Sequence, residues 1–339
     1  MQEPFNATTW LLDRHIEAGD GERVAVVEDD RTWTYAQVAD EVTRVGAALR
    51  ALGVTAEQRV ALVLLDSIEF VTAFLGAMRI GAVPVPINPL LPGRDLGVIA
   101  AESRATAVIA SATVAGHLSD LVAGAPELGT VITTGSEGSL RGSADLRTLD
   151  WATFLAEGET GDSTPYPTWA ESPGFWLCTS GSTGRPRLAT HRHVDIPVTC
   201  ETYGASVLDI GPDDRCFSVG PLFHAYGLGN ALTFPFSVGA SAVLEPHRPP
   251  TPERVAEIVT RHRPTLFFCI PTFYAALNSA PIPDDAFASV RVAVSAAEPL
   301  PAETYHRFRE RFGVHILDGI GSTELLHIYL SNTLDDLRP

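Results

Sequence analysis

Residues Cys178–His193 read CTSGSTGRPRLATHRH, with Thr179, Ser180, Gly181, Ser182, Thr183 and Gly184 in consecutive positions after an apolar GFWLC. Side chains this small cannot fill a core. They offer hydroxyl donors and a backbone able to approach a ligand closely, and successive N–H groups in such a loop form a concavity for phosphate oxygens. Two other phosphate loops are excluded by spacing. A Walker loop needs GxxxxGK[ST] opening into a helix, and Pro186 stands in the region of that lysine; the GxGxxG of a dinucleotide turn is also missing. Taken alone, the run reads as a hairpin tip.

Three further stretches add chemistry. VGPLFHAYGLGN (219–230) sets His224, Ala225, Tyr226 and Gly227 among small residues, the make-up of a pocket wall for a flat apolar group. VSAAEPLP (294–301) carries Ala296, Ala297, Glu298 and Pro299 at a strand end. LDGIGSTELLHIYLSN (317–332) runs from Asp318, Gly319, Ile320 and Gly321 through Ser322 and Thr323 to Glu324 and His327. Ligands settle at strand ends of open α/β sheets, and two hydroxyls with one carboxylate suit a phosphate and its Mg²⁺. Glu324 and His327, three apart, would share one face of a helix. His191 and His193 lack a third ligand cluster, so a solvated or phosphate-side place is expected for them rather than a metal.

The elements that must position these residues alternate. VAVVE (24–28), RVALVLL (59–65), AVPVPI, TAVIAS and LGTVITTG read as strands or extended segments. A turn followed by an amphipathic helix is read over 31–54, and a second helix over SIEFVTAFLGAMRIG. The rhythm repeats in RCFSVG, SAVLEP, TLFFCI, VRVAVSA and VHILDGI, with helices between; Thr251 is a good N-cap ahead of Pro252. Strands alternating with helices of this length imply parallel sheets. The fold class expected is α/β, with two lobes at 1–165 and 166–339 joined across the polar, acidic segment 157–173.

The charge of -17 leaves no basic excess for a nucleic-acid backbone or an anionic membrane. The most apolar stretch, Val60–Ile87, is interrupted by charges and prolines, so no membrane span is expected. Without a basic leader ahead of an apolar core, and with four dispersed cysteines, a cytoplasmic protein is expected. The chain holds no lysine at all.

Together the four stretches resemble the adenylate-forming (AMP-binding) superfamily of acyl- and aryl-CoA synthetases. TSGSTGRPR is similar to its TSGSTGxPK phosphate loop, and GSTE to its glutamate motif. Within it, PLFHAYGLGN, RPTLFFCIPTFYAAL and DGIGSTELLHIYLSN most resemble benzoate-CoA ligases and their anthranilate- and hydroxybenzoate-activating relatives.

The resemblance implies activation of a small aromatic carboxylic acid by ATP, then transfer to coenzyme A. Thr179–Gly184 would embrace the β- and γ-phosphates, Thr323 the α-phosphate, and Glu324 the Mg²⁺. Ala297, Glu298 and Pro299 would line the adenine, with Asp318, Gly319 and Ile320 opposite and Gly321 and Ser322 alongside. His224, Ala225, Tyr226, Gly227, Ala296 and His327 would shape the aryl pocket. Arg187 stands where the family has lysine, and a guanidinium fork in place of an ammonium alters nucleotide handling. The sequence ends at Pro339, ahead of the family's β-barrel subdomain and lysine-bearing C-terminal lid, so a weak catalyst is expected of this chain alone. A carrier-protein thiol as acceptor and a non-catalytic adenylate-binding module are the alternatives; homodimers are common in the family.

Overall fold

The computed structural model describes residues 3–135, 146–180 and 186–337. The chain forms two compact units, Met1–Gly21 with Tyr35–Ile196, and Glu22–Thr34 with Pro197–Pro339. The first two strands, β1 (Val24–Glu28) and β2 (Arg31–Thr34), belong to the second unit, although they precede most of the first. β2 occupies residues read from sequence as a turn.

The first unit holds β3 (Arg59–Val63), β4 (Val83–Pro86), β5 (Ala105–Ser111), β6 (Thr130–Thr134) and β7 (Arg147–Asp150) in one parallel sheet, ordered β4-β3-β5-β6-β7. Its central strands are continuous apolar runs because helices cover a parallel sheet on both faces. Helix Ile68–Arg79 is buried almost throughout, whereas helix Tyr35–Ala51 buries one stripe through Val38, Val42, Val45 and Leu49. A separate hairpin pairs β8 (Pro173–Ser180) with β9 (Pro186–Arg192), setting Thr179 opposite Arg187 and Ser180 opposite Pro186.

The expected boundary at 165/166 is not where the units divide. Segment 157–173 is fastened inside the first unit: Asn6 Nδ2 donates to the Tyr166 carbonyl at 3.3 Å and Phe5 N to that of Thr168 at 2.6 Å. The hairpin therefore stays with the first unit, and the division falls at Ile196. His191 and His193 depart from expectation as well, since both are packed side chains. His193 is fully buried and its Nδ1 accepts from Ala7 N at 3.0 Å, while His191 stacks on Phe175.

The second unit continues with β10 (Arg215–Ser218), β11 (Ser241–Leu244), β12 (Leu266–Cys269), β13 (Val292–Ser295), β14 (Ile316–Gly321) and β15 (Ile328–Ser331). The sheet order is β15-β14-β13-β12-β10-β11-β1-β2, parallel except at its two edges, where β15 and β2 run antiparallel to their neighbours. From β10 the chain crosses first to β11 on one side and then to β12 on the other, which is the reversal that opens a crevice at carboxyl ends of strands. Under the sheet, Phe267, Tyr274, Phe287, Phe308 and Phe312 meet edge to face. Thr251 caps helix Pro252–His262 as expected, its hydroxyl accepting from Arg254 N at 3.2 Å.

Candidate functional site

A cavity of about 440 Å³ lies within the second unit beyond the carboxyl ends of four strands. Val219, Gly220 and Pro221 follow β10, Ile270 follows β12, Ala296 and Ala297 follow β13, and Gly321 closes β14 ahead of Ser322 and Thr323. His224, Ala225, Tyr226, His327 and Ile328 complete the lining. The wall is mostly apolar with a few polar groups aimed inward, the usual make-up of a small-molecule site.

Tyr226 is held by its far end. Its hydroxyl lies 3.0 Å from the Val294 carbonyl and 3.2 Å from that of Cys269, so the ring spans the sheet ends as a fixed wall. Burial, in the first place, pushes its phenol well above the ordinary value, and it stays neutral. His224 stands just ahead of the short helix Ala225–Leu228, makes no side-chain bond to it, and is exposed to solvent. Its surrounding protein and then the Arg248 guanidinium lower its pKa. Gly227 does not line the cavity; it is buried with its backbone against the carbonyls of Gly220 and Pro221.

The GSTE stretch differs from the helix envisaged. β14 runs straight through Gly319 to Gly321, Ser322 caps a single 3₁₀ turn over Thr323–Leu325 by accepting from Leu325 N at 3.3 Å, and Leu326 then takes φ +68°. That left-handed residue turns the chain over. Glu324 consequently faces solvent while His327 is buried, so the two do not share a face. Burial lowers the His327 pKa to about 3, keeping the imidazole neutral.

Ala297 also sits in the left-handed region, at φ +76°, where a Cβ costs roughly 1–2 kcal/mol. Ala297→Gly is expected to raise the second unit's stability by about 0.5–1 kcal/mol, the gain being trimmed by glycine's freedom in the unfolded chain. A urea midpoint equal to or below the parent's would contradict this.

Of the other residues singled out, Glu298 and Pro299 are exposed and line neither this cavity nor a second one of about 360 Å³. Asp318, Gly319 and Ile320 line that second cavity with Leu300 and Leu330. Burial raises the Asp318 pKa, and its Oδ2 accepts from Leu300 N at 3.3 Å. Thr179, Ser180 and the exposed Arg187 lie on the hairpin of the first unit. Gly181, Ser182, Thr183 and Gly184 lie outside the described residues. Asn230 was not singled out, yet its side chain is fully buried against His327.

A family model described as AMP-binding enzyme matches residues 12–339. The chain belongs to the AMP-binding enzyme family. It is 39% identical over 340 residues to a benzoate–CoA ligase of Thauera aromatica, covering all of this chain and 62% of that relative. Among solved structures, it resembles an anthranilate CoA ligase in complex with anthranoyl-AMP, with a TM-score of 0.91, 33% identity and coverage of 100% of this chain and 64% of the other. A benzoate CoA ligase from Burkholderia xenovorans gives a TM-score of 0.88 at 35% identity, with 98% and 64% coverage. The chain thus spans under two thirds of the length of these relatives. The mixed α/β architecture with parallel-rich sheets is that of its adenylate-forming neighbours, whose chains it covers as an N-terminal part. Among the described residues no helix is long and apolar enough to cross a membrane.

Proposed function

We infer that this chain is the substrate- and adenylate-binding part of an ATP-dependent aryl-acid ligase. The observation that carries this reading is the apolar cavity at the carboxyl ends of β10, β12, β13 and β14, with Gly321, Ser322 and Thr323 on its wall. A single aromatic ring fits between Tyr226, Ala225 and Ala296, and its carboxylate then meets the hydroxyl-bearing turn.

In the first half-reaction a carboxylate oxygen bonds to the α-phosphorus of ATP, the bond to the bridging oxygen breaks, and pyrophosphate leaves. In the second, a thiol sulfur, that of coenzyme A in this reading, attacks the acyl carbon and AMP leaves with its electron pair. Thr323 donates to the α-phosphate, where negative charge accumulates. Thr179–Gly184 receive the outer phosphates. Arg187 offers them further donors in place of the family's lysine. The apolar wall excludes water from the labile anhydride.

Glu324 offers one exposed carboxylate, and among the described residues no cluster of three or more His, Cys, Asp or Glu could cage a metal. That donor set fits Mg²⁺ bound mainly through phosphate oxygens. When bound, the ion neutralises phosphate charge. Ala297 with Asp318, Gly319 and Ile320 flanks the adenine. Glu298 and Pro299, exposed and outside both cavities, follow Ala297 on its side of the adenine, with Asp318, Gly319 and Ile320 on the other.

The test is a thermal-shift panel. Non-hydrolysable benzoyl- and aminobenzoyl-adenylate analogues at a hundredfold excess over Kd are expected to stabilise the chain by about 2.7 kcal/mol, a rise of a few degrees in Tm. A long-chain acyl analogue is expected to give no shift. Equal shifts for both kinds, or none for the aryl analogues, would contradict an aryl pocket.

A further inference from the structure

A groove of about 550 Å³ runs over the surface of the first unit between helix Gly93–Ser103 and helix Leu118–Gly124. The two helices meet through glycine. A Cβ on Gly97 would lie 3.2 Å from Gly124 Cα, and one on Gly124 would lie 2.9 Å from Gly97 Cα. Backbones this close admit only small residues, and Val98, Ala101, Ala123 and Gly124 supply the apolar lining of the groove. Val98 is 37% exposed. The charged lining is Arg94 and Glu102 from the longer helix and Asp120 from the shorter. All three are exposed, and among the described residues none of their side chains has a hydrogen-bond or ion-pair partner.

Two charges on the longer helix run against its own field. A helix N-terminus favours anions and a C-terminus favours cations. Arg94 is the second residue of this helix and Glu102 the last but one, and no basic residue stands in the last turn. Only Asp95 is placed as the dipole prefers. One neighbour corrects both misplaced charges: a helix lying antiparallel, with its C-terminus beside this N-terminus. Arg94, Val98 and Glu102 follow one another at intervals of four, so they share a face with Val98 midway. A two-fold axis through Val98 sets Arg94 of each copy opposite Glu102 of the other, and Val98 against Val98. The face is its own complement, which is the condition for an isologous contact.

We propose that this groove is a docking surface for a second copy of the chain, with helix Gly93–Ser103 of one copy packed antiparallel on the same helix of the other. The occupant is a second copy because the face carries both halves of each ion pair. Asp120, whose carboxylate lies beside Gly93, adds a second anion next to Arg94. Ala101, Ala123 and Gly124 let the paired helices approach closely. An 11-residue helix and one short neighbour bury less area than a standard interface. The dimer is therefore weak and forms with rising concentration.

The experiment is sedimentation equilibrium of the chain over a concentration series, with each variant checked for folding by circular dichroism. The chain is expected to dimerise reversibly. Arg94→Glu and Glu102→Arg, each alone, set like charges opposite one another and raise the dimer Kd about tenfold or more. Val98→Asp does the same by placing two carboxylates on the axis. The double variant Arg94→Glu with Glu102→Arg exchanges the signs of both pairs and returns Kd to within about threefold of the parent. Mixing the two single variants is the sharpest arm. One copy then presents two carboxylates and the other two guanidinium groups, so a heterodimer forms although neither variant associates alone. A chain that stays monomeric throughout overturns the proposal. So does a dimer whose Kd neither single reversal moves, or a mixture that remains monomeric.

Discussion

Gly227→Ala is expected to cost the second unit about 3 kcal/mol and to abolish aryl-adenylate binding. A Cβ at this position would lie 2.1 Å from the Pro221 carbonyl oxygen and 2.4 Å from that of Gly220. These are backbone atoms, so no side chain can swing aside. The short helix Ala225–Leu228 must lift off the segment after β10, and Ala225, Tyr226, Gly220 and Pro221, all cavity wall, move with it. Gly211→Ala is the control, because nothing lies within 4 Å of its added Cβ; it should stay within about 0.5 kcal/mol of the parent. Chemical denaturation of both variants checks the result. A Gly227→Ala variant as stable as Gly211→Ala would contradict the packing described.

Acidification from pH 8 to pH 5 is expected to remove about 4 kcal/mol of unfolding free energy through two histidines. Burial holds the His193 pKa down at about 4 and that of His327 at about 3, against an ordinary 6.5. Both are neutral in the fold, so the unfolded chain binds more protons at mildly acid pH. Their contribution is complete above pH 6.5 and declines as pH falls toward the folded values. Each histidine accounts for about 2 kcal/mol at pH 5. At His193 the cause is also visible as geometry, since a proton on Nδ1 would displace the bond from Ala7 N. His224, His262 and His315 are lowered too and act with the same sign. Urea denaturation at pH 8, 6.5 and 5 checks this. His193→Phe flattens the dependence of the first unit and His327→Phe that of the second; a stability independent of pH over this range would contradict it.

Alternation of apolar strands with striped helices made the α/β class readable, because burying a parallel sheet on both faces leaves long apolar runs such as β5. A local signal placed one element's start: Thr251 caps the helix that opens at Pro252. Residues 31–34 were misread because β2 gains its pairing only from β1 across the turn, and a short polar RTWT carries no periodicity of its own. The boundary was misplaced for a related reason. A polar, turn-rich composition marks residues 157–173 as irregular, yet only the contacts of Tyr166 and Thr168 with Asn6 and Phe5 show which unit holds them.

At the candidate site, strand ends and small residues were legible, and Ala225, Tyr226, Ala296 and His327 do meet in one cavity. The burial of His327 was not, since it depends on the left-handed turn at Leu326, a residue whose type gives no hint of positive φ. Asn230 closed the quoted VGPLFHAYGLGN stretch, just ahead of the apolar ALTFPF. A lone amide beside an apolar run signals a buried polar partner, but the partner lies 97 residues on.

The most direct measurement is a crystal structure of the chain with a non-hydrolysable benzoyl-adenylate analogue. The account predicts the aryl ring between Tyr226, Ala296 and His327, with the phosphate mimic at Thr323. A ring bound elsewhere, or adenylate density with this cavity empty, would contradict it.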